Sequence, residues 1–278
     1  MNLFTIIVVT VCMVAIPAHA QLGGLGKSAK DAAKNVASGA KETAKEVVAD
    51  AQATATDAVN STIDAATDAA AKKTSEKIVA FMDDNNTILG NDVESVSRLN
   101  KLTANYTSAG NTTLNYKVYQ SNEINILALS DGSIRIYSGM IDALSDEELI
   151  AVIAIQIGHI ENKDTQATLI KAVDKNNASG AASAQADKLL SLSGDKLGSI
   201  VNELLQVPYT EKQNEAADSF AFNLLKKNGN STDGLISALN KFAEMEAAPS
   251  SSEIAEKSAK FIKVNSNNES RASLVLSK

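Results

Sequence analysis

Imidazoles and thiols are the scarcest reactive groups in this sequence: His19, His159 and Cys12 are all it has. His19 and Cys12 lie in a start that reads as an export signal, an almost wholly apolar run from Leu3 to Ile16 followed by Ala18-His19-Ala20, whose small residues a signal peptidase reads. Val9-Thr10-Val11 ahead of Cys12 is a poor lipobox, so a lipid anchor there is discounted. Cleavage after Ala20 leaves His159 as the single imidazole and no thiol among residues 21–278. No pair of histidines can then share a metal, and no disulfide framework can brace the fold. Ser and Asp are plentiful, but no signature gathers them around His159 into a nucleophilic triad. Gly23-Gly24-Leu25-Gly26 lacks the preceding strand that a phosphate-cradling loop needs, and reads as a flexible start. Chemistry is therefore to be sought at His159, as a metal ligand or pocket base, or else as a cleft-lining ring hydrogen-bonded to a neighbour.

The element that presents His159 is legible. Ser145 with Glu148 three residues on makes a capping box, and Asp146, Glu147 and Glu148 suit the positive end of a helix. Leu149, Val152, Ile153, Gln156, Ile157 and Ile160 then trace one face, which predicts a helix from Ser145 to Glu161. Ahead of it, alternation in Leu114–Tyr119, Ile124–Leu129 and Ile134–Tyr137 predicts a three-stranded antiparallel meander, its last two strands joined by an Asp131-Gly132 hairpin. Helical spacing recurs at Ile78, Val79, Phe81 and Met82, at Val93, Val96, Leu99 and Leu102, and in Lys196–Gln206, Glu211–Lys227, Thr232–Glu246 and Ser251–Val264. Asn176 to Gly194, rich in Ala, Ser and Gly, reads as a loosely packed insertion.

From about Lys27 to Lys77 the composition shifts to Ala, Lys, Asp, Glu and Thr, with no aromatic and no Pro. Small apolar residues recur there every eleven positions, as in Ala33, Ala44, Ala55 and Ala66 or Val36, Val47 and Ala58, which keeps them on one face of a nearly straight helix. The expectation is a helical or partly disordered stalk, with membrane or partner contact through residues 27–77 as the alternative. Three segments result: a signal peptide over 1–20, the Ala/Lys-rich segment over 21–75, and an α+β domain over 76–278 that is mainly helical with a small antiparallel sheet.

Tyr119 to Thr165 resembles the zinc peptidase family that contains HtpX, the CAAX prenyl proteases and periplasmic assembly-factor proteases. Its blocks N-A-F-A, D-G-x-I-x-V-x-x-G and D-E-L-x-A-V-I-G-H-E-I-G-H correspond to Asn125–Ala128, Asp131–Gly139 and Asp146–His159, and its E-x-E-A-D to Asn214–Asp218. The terminal H-P falls near Asn265-Ser266, with the following Arg kept as Arg271. The resemblance runs from about Glu76 to the C-terminus and implies a zincin-like (gluzincin) fold. It further implies that Ile155 stands where the first zinc-binding His would be, Gln156 where the general-base Glu would be, His159 as the second His, and Asn214 as the third ligand. Asp218 matches an Asp that orients a metal-binding His in the family, so here it should turn to solvent or pair with His159. Asn125 and Ala128 become candidates for a peptide-binding strand edge.

With one ligand kept of three, zinc is not expected as a cofactor and hydrolysis is not expected. The favoured reading is an inactive pseudopeptidase that binds a peptide or protein client. Against it stand a zinc endopeptidase with unusual ligands, and a stress-protective or envelope-spanning helical segment anchored by an inert domain. Net charge of −7 argues against nucleic acid or an anionic membrane as the main partner. No stretch beyond residue 20 is long and apolar enough to span a bilayer, so the exported chain is expected in a periplasm or outside the cell.

Overall fold

Residues Lys27–Asp84 form one 58-residue helix, α1, in the computed structural model, which describes residues 27–176 and 185–278. The export signal and Gly23–Gly26 lie outside the described residues. Two compact units divide the chain, Met1–Asp64 and Ala65–Lys278. In the first, every described side chain from Lys34 to Asp64 is exposed except half-buried Ala55, as expected where Ala and Thr offer too little apolar area to fold on themselves.

The second unit begins within α1. Ala70, Ala71, Thr74 and Ser75, which composition placed in the Ala/Lys-rich segment, are buried, as are Ile78, Val79 and Met82. Thr74 donates to the Leu189 carbonyl, and the Lys77 ammonium to those of Leu190 and Leu192. Leu189 belongs to a short helix, Gln185–Leu190, and both Leu189 and Leu192 are buried. The second half of the expected loose insertion is thus packed; its buried Leu189 and Leu192 were hidden in a stretch dominated by Ala, Ser and Gly.

In chain order, α1 is followed by α2 (Glu94–Thr103), the two-residue strands β1 (Ser108–Ala109) and β2 (Thr112–Thr113), then β3 (Asn115–Tyr119), β4 (Ile126–Ala128) and β5 (Ser133–Tyr137). The helices are α3 (Ser138–Ala143), α4 (Asp146–Glu161), α5 (Asp164–Asn176), α6 (Gln185–Leu190), α7 (Asp195–Leu204), α8 (Glu211–Lys227), α9 (Asp233–Ala247), α10 (Glu253–Val264) and α11 (Asn268–Leu276). The α+β class is as the sequence reads, but the sheet is no meander: its order is β3-β5-β4, with β5 antiparallel to β4 and parallel to β3. The Asp131-Gly132 turn, with Gly132 at φ +92, pins only the β4–β5 register. The connection 120–125 has no tight-turn pair, so nothing in it obliges β3 to neighbour β4.

All five residues of β5 are buried, which suits a central strand. Arg135 among them is 2% exposed, and its guanidinium reaches the Asp83 carboxylate at the end of α1 at 2.8 and 3.1 Å. Lys117 Nζ and the Tyr119 hydroxyl donate to the same carboxylate at 2.7 and 2.6 Å. Burial would raise the Asp83 pKa, but these donors outweigh it and hold it at about 2.

Candidate functional site

The sequence folds α4 as expected. Ser145 caps it in an extended conformation, its Oγ accepting from the Glu148 N–H while the Glu148 carboxylate accepts from the Ser145 N–H. Every residue from Glu148 to Ile160 is buried, so the helix runs through the core rather than along its surface. Glu148 also takes Lys241 Nζ at 2.6 Å and Ser237 Oγ at 2.7 Å. Its burial would raise the carboxyl, but Lys241, the Ser145 backbone and Ser237 bring it down to about 2.

Helix α8 starts on a second capping box, Thr210 with Gln213, and buries Asn214, Ala217, Asp218, Ala221 and Leu225 on one face. That face meets α4 closely: a Cβ on Gly158 would sit 2.9 Å from the Ala217 carbonyl oxygen. Glycine here lets two backbones approach. Asn214, one turn before Ala217 and 3% exposed, therefore faces the core with α4.

His159 is fully buried, and its Nδ1 lies 2.9 Å from Asp164 Oδ2. Asp164 opens α5 and reaches back because Lys163 takes a left-handed turn, φ +60. With Asp164 accepting a hydrogen bond from Nδ1–H, the neutral ring keeps its lone pair on Nε2, which has no hydrogen-bond partner among the described residues. Tyr209 stacks flat on the imidazole, centroids 3.8 Å apart and planes 8° apart. Burial lowers the His159 pKa more than Asp164 raises it, and the nearby Arg271 lowers it further.

Asp218 follows neither expected course. It neither turns to solvent nor pairs with His159, but accepts from Arg271 at 2.9 and 2.7 Å inside the core. Arg271 also donates to Asn268 Oδ1, and Asn268 donates to the Asn265 carbonyl, which ties α11 and the end of α10 to α8. The acid that orients His159 is Asp164, five residues on. Helical spacing gave no sign of it because the chain leaves the helix in between. Tyr209 was missed too; its one signal is an aromatic directly before the Thr210 cap.

Gln156 is 3% exposed and lines a cavity of about 20 Å³, room for a single water, together with Ile126, Ala128, Thr165, Tyr209 and Asn265. Ile155 lies in the hydrophobic core. Strand β4, one of the two edge strands of the sheet, lines the same cavity. Asn125, Leu127 and Leu129 pair towards β5, so the backbone of Ile126 and Ala128 points away from it, yet Asn125, Ile126 and Ala128 are only 3%, 5% and 3% exposed. Asn125 Oδ1 accepts from the Ile126 N–H there at 2.9 Å. Thr165 also lines a wider cleft of about 420 Å³ with Ser130, Glu161, Lys163, Gln166, Asp68 and Lys72.

The donor set does not fit zinc. His159 Nε2 and Asn214 Oδ1 are buried and without partners, so two neutral lone pairs are present. Ile155 offers hydrocarbon, and the Asp218 carboxylate is held by Arg271. Among the described residues no three His, Cys, Asp or Glu side chains converge as a metal site. A zinc centre of this kind needs three strong protein ligands with a compensating negative charge.

Residues 92–262 match the family described as Peptidase family M48. The chain is 30% identical over 177 residues to the metalloprotease YcaL of Escherichia coli K12, covering 63% of this chain and 70% of that protein. It is 30% identical over 182 residues to the metalloprotease LoiP of the same organism, covering 65% of this chain and 72% of that one. The matched span contains the sheet, α4 and α8 in the order that the family's motif blocks require. On that match this chain belongs to peptidase family M48.

Proposed function

We propose that this protein is a peptidase-family scaffold that no longer hydrolyses peptides and instead holds an extended peptide or protein client along the edge of β4. The observation that carries this reading is the fate of the positions that would hold zinc and activate water: Ile155 packs in the core, Gln156 and Asn214 are neutral, and the buried carboxylate on the Asn214 face of its helix, Asp218, is held by Arg271. Losing a general base alone costs about 10² to 10⁴ in rate, and losing the metal removes the acidified water as well. The relatives named metalloproteases lend the scaffold, not the activity. The edge at Ile126 and Ala128, continued past Thr165 into the wider polar cleft, is the surface left to the client. In this reading the chain is exported and acts after cleavage behind Ala20.

The test is calorimetric titration of zinc into the mature chain and into a variant carrying Ile155→His, Gln156→Glu and Asn214→Glu, beside a chelator-controlled cleavage assay on a peptide library. The unaltered chain should show no tight stoichiometric zinc and no chelator-sensitive cleavage, while the variant gains zinc affinity. Tight zinc binding by the unaltered chain would sink the proposal.

A further inference from the structure

Residues 34–64 of α1 carry an apolar face that no other described residue of their own unit covers. Val47 and Val48 are 58% and 40% exposed. Val47, Ala51, Ala55 and Ala58 follow one another at steps of three or four, with Val48 beside them, in phase with the eleven-residue recurrence of the sequence. A helix with such a stripe stays straight over many turns, and its Ala residues let a second helix come close, with axes about 8–10 Å apart.

The charges along the same helix are segregated. Lys27, Lys30, Lys34, Lys41 and Lys45 stand against only Asp31 and Glu42 in the first half, whereas Glu46, Asp50, Asp57 and Asp64 occupy the second half without any Lys or Arg. The changeover falls at Lys45-Glu46, beside Val47-Val48, the bulkiest pair on the stripe. We propose that this face docks a second copy of the same chain, antiparallel, with the two Val47-Val48 pairs meeting at the two-fold axis.

Charge complementarity selects both the occupant and its direction. A parallel pair sets basic half beside basic half, and acidic beside acidic, at a spacing of about one Debye length. An antiparallel pair sets each basic half along the partner's acidic half. Reflection about 47/48 also keeps the recurrence in register, since sequence position 33 then pairs with 62 and position 44 with 51. An anionic membrane would attract the first half and repel the second, and Ala methyls bury little area in lipid. This inference does not depend on the peptide-binding reading.

The test uses the mature chain, residues 21–278. Sedimentation at about 0.05 M and about 0.5 M salt should show a dimer that weakens several-fold at the higher salt, where the Debye length falls below the helix spacing. Val47→Asp with Val48→Asp should weaken dimerisation by about tenfold or more, as expected for charges placed in an apolar contact. Since the mature chain has no Cys, Ala33→Cys and Thr62→Cys report direction under mild oxidation. Neither single variant should cross-link, while an equimolar mixture should give a 33–62 disulfide. A chain that stays monomeric, a dimer indifferent to the Val47/Val48 change, or cross-linking by Ala33→Cys alone overturns the proposal. So does a monomer recovered on phosphatidylglycerol vesicles through this helix.

Discussion

His159 is fully buried, and Tyr209, which lies flat on one face of its ring, is itself only half-buried, so this phenol ring stands between the imidazole and the surface. Its segment is tethered by a long 3.3 Å bond from the Tyr209 N–H to the Val264 carbonyl. Carbethoxylation of His159 by diethyl pyrocarbonate, followed by absorbance, should be slow in the unaltered chain. Tyr209→Ala should speed it by about tenfold or more, since reaction no longer waits on local opening, and Tyr209→Phe should leave it slow. Equal rates in all three would show that the ring does not shield Nε2. Acid sensitivity is also set by single residues. Asp83 and Glu148 both have folded pKa values depressed to about 2, so their contribution is present above the unfolded carboxylate range and lost as pH falls through about 4 towards 2. Each shift corresponds to at most about 2–3 kcal/mol. Melting temperature should therefore drop steeply between pH 5 and pH 2, and less steeply once Glu148→Gln removes one of the two groups.

Among elements, the α4–α8 crossing decides whether a site can exist at all. Gly158 against Ala217 brings the two backbones together, and a methyl at 158 would meet the Ala217 carbonyl at 2.9 Å with Cα at 3.0 Å. Gly158→Ala should cost about 1–3 kcal/mol, and Gly158→Val more, because the obstacle is backbone and cannot swing aside. Denaturant midpoints read this directly; no change would mean the crossing is slacker than it looks. The sheet depends in the same way on one charged pair. Arg135→Met leaves the Asp83 carboxylate beside an apolar neighbour with Lys117 and Tyr119 as its remaining donors, and should destabilise by roughly 3 kcal/mol. Adding Asp83→Leu should return part of that loss.

At the scale of the molecule, the second unit starts at Ala65 and includes the last turns of α1. A chain beginning at Ala65 should melt as residues 21–278 do when diluted below any self-association. One beginning at Lys77 loses buried Ala70, Ala71, Thr74 and Ser75, together with the Thr74 bond to Leu189, and should melt several degrees lower. Identical melting of both truncations would show that residues 65–76 add nothing to the core.

Much of this was legible in the residues alone, wherever the determining interactions are local. Ser145 and Glu148 cap α4 across three positions, and Asp131-Gly132 turns β4 into β5. The count of imidazoles and the identities at 155, 156 and 214 likewise needed no coordinates to argue against a three-ligand zinc site. Tertiary structure decided what depends on distant partners. The central slot of the sheet went to β5 because Asp83, far away in sequence, neutralises Arg135 there. Asp218 went to Arg271 rather than His159, because a guanidinium 53 residues away offers two charged donors where the neutral ring offers one. His159 took Asp164 because a left-handed Lys163 bends the chain back, and Tyr209 closed over it from another helix's threshold. Periodicity sees neighbours three or four apart along one element. It has no view of which charge a fold will bring beside which.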